Sequence, residues 1–146
     1  MEVSTERLLI IPCNEENYRV QSRLYEMGPH ILSYLDQVRD DPTTIGWGVW
    51  FVQQKESLQV IGDIGFKGKP HQRTVEVGYG MQPSHHNKGF ATEAVSGLLH
   101  WAFSTGLVDR VIAECSVDNG PSFRVLEKVG MKQVSVSDGM IYWELS

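Results

Sequence analysis

Residues 80–92, GMQPSHHNKGFAT, place glycine, histidine and lysine between a run that alternates like a strand and one that repeats like a helix. A helix starting here leaves its first four backbone N–H groups unpaired and carries the positive end of its dipole. Gly89 permits a sharp turn and lets a ligand approach the backbone with no Cβ in the way, and Ala91 keeps a nearby position small. Such a turn suits an anion, and a pyrophosphate in particular. It equally suits a helix start with no ligand, because isolated glycine turns are unspecific. Two other phosphate patterns are absent: there is no GxGxxG, and the order Lys88-Gly89 does not fit GxxxxGK[ST].

Proton chemistry has two acidic candidates. In residues 74–81, Val75, Val77, Tyr79 and Met81 share one face of a strand, and Glu76, Gly78 and Gly80 share the other. A glutamate beside two glycines overlooks a groove and can take a proton directly or through water. It also fits a solvent-facing or ion-paired residue. Asp63, on the neighbouring strand, is the second candidate. Asn119 and Ser122 read as a helix cap and a small packing residue. Cys115 reads as a small core residue rather than a nucleophile. His71, His85 and His86 lack a recognised ligand spacing, so no metal is expected. Trp47 and Trp50 fall on opposite faces of their strand, so at most one lines a groove.

The elements that position these residues follow from periodicity. TERLLIIP, residues 5–12, reads as a strand stopped by Pro12. Residues 15–25 and 29–39 suit two short amphipathic helices broken at Gly28-Pro29. Strands are expected at 45–53, at 58–66 with apolar positions two apart from Leu58 onward, and at 74–81. From residue 88 the period changes. Ala91, Val95, Leu98 and Ala102, with Ala94, Leu99 and Trp101 beside them, predict a helix to about residue 105, capped by Gly106. A strand at 110–117, a helix capped by Asp118 or Asn119 with Pro121 in its first turn, and strands at 131–137 and 140–145 complete the order. The order β-α-α-β-β-β-α-β-α-β-β predicts an α/β fold, a mixed central sheet flanked by helices.

The 146 residues, 41% of them apolar and 21% charged, are expected to form one domain over residues 1–146. With 13 Lys+Arg against 18 Asp+Glu, the formal charge of −5 gives no footprint for direct nucleic-acid binding and favours a cationic acceptor such as an amine. Cys13 and Cys115 form no disulfide framework. No run of 18 apolar residues occurs and no signal peptide is visible, so no membrane partner is expected and the cytoplasm is the expected location.

The turn resembles the acetyl-CoA motif of the GNAT acetyltransferase superfamily, in which Arg or Gln is followed by x-x-Gly-x-Gly/Ala between a central strand and a helix. The matching residues are His86, Gly89 and Ala91, and His86 departs from the pattern. Thr5-Glu6-Arg7-Leu8 and Glu76-Val77-Gly78-Tyr79 resemble the branch containing ribosomal-protein N-terminal acetyltransferases. GFATEA at 89–94 and NGPSFRVLEKVGM at 119–131 resemble two further family signatures.

The resemblance implies a GNAT-like fold and an acetyl-CoA-dependent N-acyltransferase, moving acetyl directly to a primary amine. It implies donor binding by Gly80, Met81, Gln82, His86, Asn87, Lys88, Gly89, Phe90, Ala91, Thr92, Asn119 and Ser122, with Ser122 near the reacting sulfur; the catalytic residues expected are therefore Glu76, from its place on the strand, and Ser122. Many members carry a Tyr four positions after the Ala/Ser that matches Ser122, as acid to the leaving thiolate; here that residue is Leu126. The expected partners are an amine-bearing small molecule or a polypeptide N-terminus, and a homodimer is allowed. The competing expectation is a noncatalytic acyl-CoA-binding or interaction domain.

Overall fold

The computed structural model describes residues 1–81 and 88–146. An eight-stranded sheet runs in the order β1-β2-β3-β4-β5-β6-β8-β7. Its strands are β1 (Val3–Ser4), β2 (Leu8–Pro12), β3 (Val49–Gln54), β4 (Val60–Phe66), β5 (Thr74–Met81), β6 (Arg110–Ser116), β7 (Lys132–Ser137) and β8 (Met140–Leu145). Neighbours pair antiparallel except β5 and β6, which are parallel and joined through a crossover helix. The helices are α1 (Glu15–Gln21), α2 (Pro29–Asp40), α3 (Phe90–Ser104) and α4 (Gly120–Lys128). The mixed sheet and its flanking helices follow the expected order, with the two-residue β1 and a 3-10 turn at Pro42–Thr44 as additions.

The larger core lies between the sheet and α3 with α4. Phe90, Ala94, Val95, Leu98, Leu99 and Ala102 recur at helical spacing and are buried against Trp50, Ile64, Val75 and Val77. Each such leucine contributes roughly 1.5–3 kcal/mol by leaving water. The smaller core lies between the sheet and α1 with α2, and contains Tyr25, Ile31, Tyr34, Leu35, Val49 and Phe51.

Three sequence readings are corrected. Helix α1 ends at Gln21 rather than residue 25, and Tyr25 instead turns inward to 8% exposure. Leu58 lies outside its strand at φ 60 and is exposed. The simple period of two also fails, because the register shifts between Val52 and Gln53 while Gly62 and Val60 stand opposite. Ile61 is the extra residue, so Val60 joins the smaller core while Ile61 and Ile64 join the larger one. Third, Trp47 precedes β3, beyond the left-handed Gly46 (φ 90), and strand alternation does not apply to it. Trp47 and Trp50 therefore pack on the same side, each with its ring centroid 4.9 Å from that of Trp101.

Candidate active site

Strands β5 and β6 pair only at Thr74↔Arg110, Val75↔Val111 and Glu76↔Ile112. Beyond Glu76, β5 continues to Met81 paired, among the described residues, with β4 alone, so one edge of its C-terminal half leaves its ladder with β6. Open edges in such sheets, outside the carboxyl ends of parallel strands, are where ligands enter. Gly78 and Gly80 leave the adjoining floor bare. Among the described residues, a Cβ built at Gly80 would meet nothing within 4 Å, and one at Gly78 only the Lys67 side chain at 3.8 Å.

Above that floor lies a cavity of about 650 Å³, roofed by His30, Tyr34 and Gln37 of α2 and walled by Asp63 and Lys67. Asp63 is the Cα partner of Gly80, which puts its carboxylate beside the end of β5. The Tyr25 hydroxyl donates to Asp63 Oδ2 at 2.7 Å, and His30 Nε2 lies 2.8 Å from Oδ1. Burial, and then the Asp63 hydrogen bond, push the Tyr25 phenol up, so it stays a proton donor to the carboxylate. Each carboxylate oxygen keeps lone-pair capacity for a further donor. A half-buried anion oriented by two partners and open to a cavity can hold an ammonium group and accept its proton.

On the opposite side of β5, Tyr79 reaches α4. Its hydroxyl lies 2.7 Å from Ser122 Oγ and 3.2 Å from the Ser122 carbonyl oxygen. Burial raises the Tyr79 phenol, against an opposing hydrogen bond from Ser122. Asn119 caps α4, its Oδ1 accepting from the Ser122 N–H at 3.1 Å. Leu126 is fully buried in the larger core.

The expected site residues divide accordingly. Gly80 and Met81 end β5, while Asn119 and Ser122 begin α4. Glu76 forms an ion pair with Lys67 at 2.7 Å and does not line the cavity. Gly89 is the N-cap of α3 at φ 79, where a side chain would be strained, and it offers no side chain to cap the helix. Lys88 precedes this turn, Phe90 is buried beneath it, and Ala91 and Thr92 lie half-buried in the first turn. Gln82, His86 and Asn87 lie outside the described residues. Tyr25, His30 and Tyr79 were not foreseen in these roles. Tyr25 and His30 border the helices the periodicity detects, but their convergence on Asp63 depends on the packing of α2 over β4. Among the described residues, no group of three His, Cys, Asp or Glu is placed to hold a metal.

The chain belongs to the GNAT acetyltransferase domain family, whose model matches residues 19–132. It is 36% identical over 88 residues to YjdG, an uncharacterised N-acetyltransferase of Bacillus subtilis, covering 60% of this chain and 52% of that one. The chain spans about half the length of the curated relatives it matches. An acetyltransferase structure from Bacillus anthracis superposes with TM-score 0.74 at 24% identity, covering 99% of this chain and 98% of that one. RimL, a ribosomal-protein α-N-acetyltransferase solved with coenzyme A, superposes with TM-score 0.76 at 14% identity, covering 99% of this chain and 97% of that one. These two likenesses concern the fold.

Proposed function

We propose that the protein transfers an acetyl group from acetyl-CoA to a primary amine held in the cavity beneath α2. The observation that carries this reading is the departure of β5 from β6 beside a cavity that holds an oriented carboxylate, in a chain of the GNAT family. The uncapped start of α3 at Gly89 fits a diphosphate, and Asn119 with Ser122 fits the thiol arm. When bound, acetyl-CoA supplies an activated thioester. Asp63 receives the ammonium and takes its proton. We place this role at Asp63 rather than Glu76, because Asp63 faces the cavity whereas Glu76 is engaged by Lys67. Ser122, held by Tyr79, offers a hydroxyl beside the open edge of β5. Among amines, a polypeptide N-terminus is favoured by the resemblance of residues 5–8 and 76–79 to the ribosomal-protein branch and by the fold likeness to RimL.

The test is thiol release from acetyl-CoA across peptides with free N-termini, polyamines and aminosugars, with acetyl-CoA binding followed by calorimetry. Asp63→Asn is expected to lower kcat/KM on the order of 10²-fold while leaving acetyl-CoA binding intact. Glu76→Gln is expected to stay near wild type; collapse of that variant alone would return the base to Glu76. Tight acetyl-CoA binding with no turnover on any amine would favour the noncatalytic reading. No binding at all would remove the enzyme reading.

A further inference from the structure

The turn between β1 and β2 reaches across to the start of α3. Glu93, in the first turn of α3, accepts hydrogen bonds from the Thr5 hydroxyl, from the Arg7 backbone N–H at 2.8 Å and from Arg7 Nε at 2.7 Å. Arg7 Nη1 donates to the Lys88 carbonyl oxygen at 2.9 Å, and the guanidinium carbon sits 4.3 Å from the Phe90 ring centroid. The third nitrogen, Nη2, lies 3.3 Å from where a Cβ at Gly89 would stand. Among the described residues Nη2 has no hydrogen-bond partner, and the Arg7 side chain is 43% exposed. One guanidinium therefore holds the residues on both sides of Gly89 and turns its remaining edge toward that glycine.

We infer that Arg7 is a donor-binding residue, locking the Gly89 turn and presenting Nη2 to a phosphate group of acetyl-CoA. The inference rests on the acetyl-CoA reading above. Its electrostatic logic concerns Glu93. An acid in the first turn stabilises the helix dipole but repels an anion arriving at the same end. Burial pushes the Glu93 carboxyl upward, but hydrogen bonds from Thr5 and Arg7 outweigh it, and Glu93 stays ionised. The Arg7 charge cancels that negative charge where the phosphate would otherwise meet it. A guanidinium can serve a carboxylate, a carbonyl and a phosphate together because its five N–H groups diverge in one plane. Lysine has the charge but not the fork.

Two acetyl donors separate this role from simple support of the fold. Acetyl-CoA carries the phosphates, and S-acetyl-pantetheine has the same thioester and arm without them. In Arg7→Gln, KM for acetyl-CoA is expected to rise about tenfold to a hundredfold, with kcat and all constants for S-acetyl-pantetheine within about twofold of wild type. Arg7→Lys should recover part of the loss, and added salt should weaken acetyl-CoA use more in wild type than in Arg7→Gln. An unchanged KM for acetyl-CoA in both folded variants would overturn the inference. Equal losses with both donors would overturn it too, by reducing Arg7 to a structural residue. If Arg7→Gln does not fold, Arg7→Lys carries the same two-donor comparison. Failure of wild type with both donors would count against the acetyl-CoA reading itself.

Discussion

The two faces of the sheet do different work with neighbouring residues of the same strands. Toward α3, Trp47, Phe66 and Trp101 make an aromatic cluster with Trp50, and Leu98, Val95 and Ala102 have no solvent exposure. Toward α2, the apolar contacts are fewer, and polar groups intervene: Tyr34 donates to the Cys13 carbonyl at 3.0 Å and Tyr25 to Asp63 at 2.7 Å. Ile64 and Asp63 are adjacent in sequence, yet one fills the larger core and the other faces a cavity. A pleated strand can build a packed wall and a polar, open one at once, provided each is confined to its own parity. The larger core makes the sheet rigid, and the cavity face uses that rigidity to hold a carboxylate in place.

That division can be broken first on the packed side. Leu98→Ala removes a fully buried side chain from the centre of the α3 interface and is expected to cost about 2–5 kcal/mol, read as a lower urea midpoint. At a temperature where the variant remains folded, kcat/KM should stay near wild type. A folded Leu98→Ala protein that has lost its activity would show that the two faces are not separable.

The cavity side is probed by filling rather than emptying. Gly80→Val adds a branched side chain where a Cβ would meet no atom of the described residues within 4 Å and where the backbone is ordinary strand. Stability is therefore expected to stay within about 0.5 kcal/mol of wild type. The added methyls stand on the floor next to Asp63, so KM for the amine should rise about tenfold with acetyl-CoA binding retained. Kinetics unchanged for every amine would move the acceptor site away from this floor.

The order of elements and the packed helix α3 were legible because apolar repeats report burial directly: Val95, Leu98 and Ala102 cannot be satisfied in water on one face of a helix. Two things were not fully legible. The extra residue at Ile61 changes strand parity without any sequence mark, since an apolar run reads the same with or without a bulge. The candidate site was legible in part. Glu76 beside two glycines drew attention to the floor at Gly78 and Gly80, and the carboxylate that faces the cavity is Asp63, the second acidic candidate, one strand over. Tyr25 and His30, from separate segments near α1 and α2, meet on that group 38 and 33 positions away in the chain. Local patterns carry no information about such meetings. Leu126, where the resemblance leads one to expect Tyr, is fully buried, and its hydrocarbon side chain has no proton to give, so it serves packing alone.

The smallest effect expected is a pH dependence on the packed side, where a carboxylate serves structure. Glu93 lies at the rim of the larger core with its pKa lowered, the hydrogen bonds of Thr5 and Arg7 prevailing over burial. A carboxylate whose folded pKa lies below its unfolded value stabilises the protein above the unfolded pKa, and that contribution is lost as pH falls through the folded value. Stability should therefore decline from the ordinary glutamate value of 4.5 downward. Asp41 titrates in the same direction: hydrogen bonds from Lys69 and Thr43 hold it at about 2. Glu93→Gln should thus flatten the acid side of a plot of Tm against pH without abolishing its slope, and Asp41→Asn on that background should flatten it further. The glutamine can still accept from Thr5 and from the Arg7 backbone, so the loss at neutral pH should be modest, a few degrees in Tm. An acid limb of identical slope in wild type and Glu93→Gln would show that the clasp between the N-terminal turn and α3 contributes little to stability. The role of Arg7 would then rest on donor binding alone.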